Sequence, residues 1–88
     1  TNRRAMWEET RLNFTSGAYG DPGDLQTIAM FWQMMDTLHY PGAKQALQFA
    51  QERVAQQQDL AAQQARLNQQ NEERNSAIQA FAQLNKNQ

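Results

Sequence analysis

The stretch MFWQMMDTLHYPGAKQALQFAQERVAQQQ, residues 30–58, changes character at Tyr40-Pro41-Gly42-Ala43. To the left lies a cluster of aromatic residues and methionines. To the right the chain runs to Gln88 without another proline or glycine and becomes increasingly rich in glutamine. The left half reads as an amphipathic helix: Leu25, Ile28, Phe31, Trp32, Met35 and Leu38 recur mostly at spacings of three and four, the period of one helix face. Met30 and Met34 fall outside that face. They suggest a second buried contact, or flexible filling of a gap against a partner. The residue before a proline is pushed out of helical geometry, so Tyr40 is expected to be extended. Pro41 can then open a third helix at its first position. Tyr40, Pro41 and Gly42 are the expected hinge between two kinds of packing.

Upstream, NRRAMWEETRLNF predicts a short helix from about Arg3 to Thr15. Its large apolar residues, Trp7, Leu12 and Phe14, do not form one clean stripe. Arg4 and Glu8 stand at the i,i+4 spacing of a helical ion pair. The glycines, proline and aspartates of TSGAYGDPGD mark a loop. The second helix is expected to start at Asp21 or Asp24. Asp21-Pro22 reads as an N-cap followed by a first-turn proline, and Asp24 adds favourable charge near the helix N-terminus. These two helices, about 3–15 and 22–39, form a base over residues 1–40. The expected base packing is carried by Leu25, Ile28, Phe31, Trp32 and Met35.

Downstream, residues 41–88 predict one long amphipathic helix rich in Gln and Ala, from about Pro41 to Leu84 and frayed toward the C-terminus. At 1.5 Å per residue it would be roughly 65 Å long, more than a small globule needs. Ala43, Leu47, Ala50, Val54, Ala61 and Ala65 fall on one narrow stripe, spaced closer to an eleven-residue repeat than to strict heptads. Phe49, Leu60, Leu67 and Ile78 form a second stripe about 110° away, with Phe81 near its edge. Gln57, Gln64, Asn68, Asn71 and Asn75 lie between them. Two seams with amides between suit a helix touching two neighbours, whereas a dimeric coiled coil wants one seam of large residues. Small residues allow close approach, and amides can bond laterally to identical neighbours. The pattern therefore predicts an all-α chain: two short helices packed as a base, then one long helix assembling into a ring or barrel of parallel helices. Leu47, Val54, Leu60, Leu67 and Ile78 are its expected inter-subunit contacts. The alternative is a solvated, frayed tail, because this helix buries too little to be stable alone.

Composition narrows the function classes. The 88 residues make at most one small domain, with 40% hydrophobic residues, a formal net charge of -1 and no cysteine. The mean hydropathy of -0.90 is low for a self-sufficient globule, and small domains often lean on partners. Without a basic excess, nothing drives sequence-independent DNA binding. Without cysteine there is neither a disulfide framework nor a thiolate metal site. No apolar run is long enough to span a bilayer. The first residues, Thr1-Asn2-Arg3-Arg4, have no apolar segment behind them and so do not read as a signal peptide; without an initiator methionine the chain reads as processed or, the favoured reading, as an excerpt of something longer.

No catalytic constellation emerges. His39 is the single histidine and reads as a capping or packing residue at a helix end. Ser16 and Ser76 have no geometric reason to meet it. The adjacent acids Glu8-Glu9 and Glu72-Glu73 point about 100° apart on a helix and read as solvated faces. SGAYGDPGD lacks the lysine and the preceding strand of a phosphate loop. Trp7, Phe14, Tyr19, Phe31, Trp32 and Tyr40, without a basic setting, read as a small aromatic core rather than a stacking platform for nucleic acid. No cofactor or metal is expected.

With these residues in view, GDPGDLQTIAMFWQMMDTLHYPGAKQALQFAQERV, residues 20–54, resembles the C-terminal part of the portal proteins of tailed bacteriophages. There, a G-x-P loop precedes a helix ending in H-Y-P, which leads into a long helix rich in Ala, Gln, Glu and Arg. The H-Y-P-x-A junction and the Phe31-Trp32 pair carry the likeness. The wing, stem and clip parts of a portal are missing from this sequence. The resemblance implies a structural virion component at one capsid vertex: a homo-oligomeric ring, usually of twelve subunits. Double-stranded DNA passes through its channel during packaging and ejection, and this segment would form a crown and barrel around it. Expected partners are copies of itself, DNA without sequence-specific contact, and other portal-vertex, head-tail connector or internal virion proteins, with no membrane. The rival reading is a helical adaptor or scaffold-binding coiled-coil module whose long helix docks in a partner's groove. A third is a nucleic-acid-binding subunit.

Overall fold

A computed structural model describes residues 2–86. The protein is all-α, with α1 over Arg3–Thr15, α2 over Leu25–Thr37 and α3 over Ala43–Lys86. There is no strand among the described residues. The chain divides into two compact units, Thr1–Gln56 and Gln57–Gln88. The first contains α1, α2 and the start of α3; the second is the remainder of α3. Asn87 and Gln88, the end of the expected long helix, lie outside the described residues. The division falls inside α3 and not at the proline because the first turns of α3 belong to the core: Ala43 is 0% exposed and Ala50 4%.

The Asn2 side chain caps α1 by accepting from the Arg4 N–H at 3.0 Å. Asp24 caps α2, accepting from the Gln26 N–H at 3.2 Å. Asp21 has a different task from the helix start expected of it. Its carboxylate accepts from the Gly23 N–H at 2.9 Å and closes the loop ahead of α2. Pro22 therefore sits in that turn, outside the helix.

The two short helices end in the same way. In α1, Gly17 N–H donates to the Phe14 carbonyl at 3.2 Å and Ala18 N–H to Asn13 at 2.9 Å. In α2, His39 N–H donates to Asp36 at 2.9 Å and Tyr40 N–H to Met35 at 3.0 Å. Both pairs have the 5→2 and 6→1 pattern of a Schellman cap, which satisfies the last helical carbonyls. The motif places its central residue in the left-handed region. That residue is Gly17 in α1, at φ 87°, but His39 in α2, at φ 58°.

Pro41 opens a turn and not a helix. Ala43 N–H donates to the Tyr40 carbonyl at 3.1 Å, and Gly42 stands at φ 83°. Proline at the second and a positive-φ glycine at the third position make Tyr40–Ala43 a type II turn. The first α-helical bond of α3 then runs from Ala46 N–H to the Gly42 carbonyl at 3.1 Å.

Phe31, Met35 and Ala43 are the buried centre of the first unit, with Trp7, Phe14 and Trp32 packed against them. Phe14 of α1 stacks on Phe31 of α2 with ring centroids 4.4 Å apart. The Trp7 indole N–H donates to the Leu38 carbonyl at 2.8 Å. Leu12 points away and is 53% exposed. Of the methionines outside the main face, Met34 is half-buried and lines a crevice with Thr10, Thr37 and Leu38. Met30 is 41% exposed and stands beside the start of α3.

Candidate interaction site

Two kinds of exposed apolar surface stand out, one in each unit. The first is an open cleft of about 380 Å³ between α1 and α2. Its floor is Trp7, Phe14, Phe31, Trp32, Met35 and Tyr40, and Arg4, Glu8, Arg11 and Thr15 form its edge. The aromatic rings brace one another. Trp7 meets Tyr40 edge-on at 5.1 Å, Trp32 meets Phe31 at 5.0 Å, and Trp32 lies 6.3 Å from Tyr40. Edge-on and tilted pairs are the favourable geometries for such quadrupoles. The Schellman cap at His39 is what turns Tyr40 back over this floor, next to Met35.

The edge of the cleft is charged and partly neutralised. Arg11 pairs with Glu8 one turn before it, and its Nε–H also donates to Glu8 at 3.4 Å. That hydrogen bond and the guanidinium charge hold the Glu8 carboxyl below its ordinary value and raise Arg11 above its own. The i,i+4 spacing marked Arg4 as a partner for Glu8, but Glu8 is taken by Arg11. Among the described residues Arg4 has no ion-pair partner.

The base residues expected from sequence divide by depth. Phe31 and Met35 are buried, while Leu25, Ile28 and Trp32 are half-buried. Trp7, Phe14 and Tyr40 complete the aromatic set. Tyr19 stands apart from the cleft, its hydroxyl accepting from the Asn13 side-chain amide at 3.3 Å.

The five seam residues fall into two environments. Leu47 and Val54 are half-buried and line a groove of about 400 Å³ with Ala29 and Met30 of α2. They share the stripe of Ala43 and Ala50, which are buried in the first unit. Leu60, Leu67 and Ile78 belong to the second unit and are 60%, 53% and 55% exposed. Phe81 and Leu84 are exposed too. Nearby amides have begun to pair along the helix: the Gln64 side chain donates to Asn68 at 3.1 Å, and Gln69 to Glu73 at 3.4 Å.

Among the described residues no three His, Asp or Glu side chains converge as a possible metal-ligand set. None of the described helices is long and apolar enough to cross a membrane. His39 acts through its backbone, as the left-handed terminator of α2. Comparison with known protein families, with curated proteins and with solved structures gives no match.

Proposed function

We propose that this chain is a structural, non-enzymatic segment of a tailed-phage portal protein, forming crown and barrel around the DNA channel. One observation carries the reading. The second unit is a single helix on which Leu60, Leu67 and Ile78 are each more than half exposed. A lone helix gains little from propensity and is stabilised mainly by packing an apolar face. Rows of leucine and isoleucine flanked by amides fit a lateral array of identical helices, in which each helix covers its neighbour's seam. The H-Y-P-x-A junction and the Phe31-Trp32 pair add the family resemblance.

In this reading the portal subunits, usually twelve, form a ring, and this segment crowns it at the capsid vertex of the virion, after assembly in the host cytoplasm. The second unit contains Arg66, Arg74 and Lys86 against Asp59, Glu72 and Glu73. Such a balanced, amide-rich wall would hold a passing polyanion weakly and let it slide during packaging and ejection, with no cofactor and no base-specific contact.

The same exposed seam favours a second reading, an adaptor whose helix docks in the groove of a different protein. Native mass spectrometry of the chain across a concentration series separates the two. A large homo-oligomer supports the ring. A monomer that becomes ordered only on adding another virion protein contradicts it and supports the adaptor. Binding to DNA that weakens steeply with salt would point instead to a nucleic-acid-binding subunit.

A further inference from the structure

We infer that the aromatic cleft of the first unit receives Phe49 of a second copy of this chain, with Glu52 of that copy paired to Arg4 at the edge. The inference rests on the ring reading and names one of its contacts.

Phe49 is 63% exposed, a large aromatic side chain on α3 that does not line its own chain's cleft. By helical geometry it stands about 110° round α3 from the buried face of Ala43 and Ala50. It is thus directed away from the core of its own unit. Its flank is charged. Glu52 is three residues on, within reach of the same face. The Arg53 guanidinium lies over the Phe49 ring, 5.9 Å from its centroid. Among the exposed large apolar residues of α3, Phe49 is the one with an acidic side chain three or four positions away. Across the described residues neither Arg4 nor Glu52 has an ion-pair partner.

The cleft supplies the complement. It is an apolar hole floored by Trp7, Phe14 and Trp32, with a surplus positive charge from Arg4 once Arg11 has neutralised Glu8. An aromatic knob with an acid beside it can fill that hole and set Glu52 against Arg4, with Arg53, which lies over the Phe49 ring, kept outside the edge. Knob and hole are different patches of the same chain, so the contact is head-to-tail. Contacts of that kind close into rings or run on into filaments, whereas a self-complementary patch stops at a dimer.

The test is a charge swap in the complete 88-residue chain, read as assembled mass against concentration. Arg4→Glu and Glu52→Arg should each raise the concentration for half-assembly roughly tenfold, because each sets like charges against one another at the cleft edge. The double variant should return to within about threefold of the original. Phe49→Ala should lose assembly without recovery. Far-ultraviolet circular dichroism should show all four variants still helical; Arg4→Glu is mild in this respect because it puts an acid near a helix N-terminus. Since the chain has no cysteine, Arg4→Cys combined with Glu52→Cys gives a second readout. A short bis-maleimide linker, spanning the reach of the two side chains it replaces, should produce a ladder of covalently linked copies. If Phe49→Ala and Glu52→Arg assemble like the original, the inference is overturned and the ring reading stands. A double variant that fails to recover, or cysteines that the linker does not join between copies, overturns it as well. A chain that stays monomeric at every concentration removes the ring reading and this contact with it.

Discussion

The Trp7 indole donates its N–H to the Leu38 carbonyl, 2.8 Å away and thirty-one residues along the chain. Leu38 is the C-cap of α2, and carbonyls at a helix end have no partner within their own helix. The contact therefore does two things. It satisfies a part-buried acceptor, and it fixes the middle of α1 against the end of α2, where the chain turns toward α3. Trp7→Phe keeps an aromatic ring beside Tyr40 but removes the donor. The first unit should lose about 1–2 kcal/mol, the cost of a part-buried carbonyl left without its bond. Urea unfolding followed by Trp32 fluorescence measures it. An unchanged midpoint would show that water replaces the indole at no cost.

His39 occupies the place in the α2 cap that Gly17 occupies in α1, and does so with a side chain that the left-handed region disfavours. It is exposed, so replacing it removes no buried contact. His39→Gly should stabilise the first unit by about 1 kcal/mol. Thermal unfolding by circular dichroism checks the sign, and a lower midpoint would mean that the imidazole makes a compensating contact.

Gly42 tests the turn from the other side. An added Cβ would meet no atom within 4 Å, so space is not the constraint; the φ of 83° is. Gly42→Ala should cost about 1 kcal/mol through backbone strain alone. Pro41→Ala, at a position that most residues tolerate, should cost less. If the two substitutions have the same effect, the type II turn does not set the direction in which α3 starts.

The Glu8–Arg11 pair gives a pH prediction whose sign follows from its shifts. The folded Glu8 carboxyl titrates below its ordinary value because Arg11 donates to it. Its contribution is complete above the unfolded carboxylate value and is lost as pH falls through the lowered folded value. Arg11, raised above its ordinary value, contributes throughout the neutral range. The pair is fully exposed and screened, so the effect is small. Glu8→Gln should leave the neutral-pH unfolding midpoint within experimental scatter and slightly flatten its fall in acid. A marked loss at neutral pH would show that the pair orders the cleft edge.

Much of this fold is legible in the sequence, for identifiable reasons. Leu25 to Met35 carry a helical period, and two proline- and glycine-marked loops separate three helical segments. The aromatic set was legible as a core because the chain has no basic excess; that Arg4 and Arg11 stand at the edge of its cleft was not. What could not be read depends on local hydrogen-bond choices between close alternatives. Asp21 and Asp24 are both competent caps, and the structure uses one for a turn and the other for the helix. Nothing in His39-Tyr40-Pro41 announces a left-handed histidine, since the usual signal for that cap is glycine. Glu8 has arginines both before and after it, and composition does not say which it will take. The alanines of early α3 signal close approach, but periodicity alone does not say whether the neighbour is α2 or another copy.

We propose that the exposed seam of the second unit is covered by identical helices. Leu60→Asp tests it most directly. Leu60 is 60% exposed and remote in sequence from the aromatic cluster, so a charge there should not unfold the first unit. Native mass spectrometry of the original chain and the variant, alongside tryptophan fluorescence, is the measurement. A large homo-oligomer is expected for the original chain, and a monomer with unchanged tryptophan emission for Leu60→Asp. A variant that retains the full assembled mass would contradict the account.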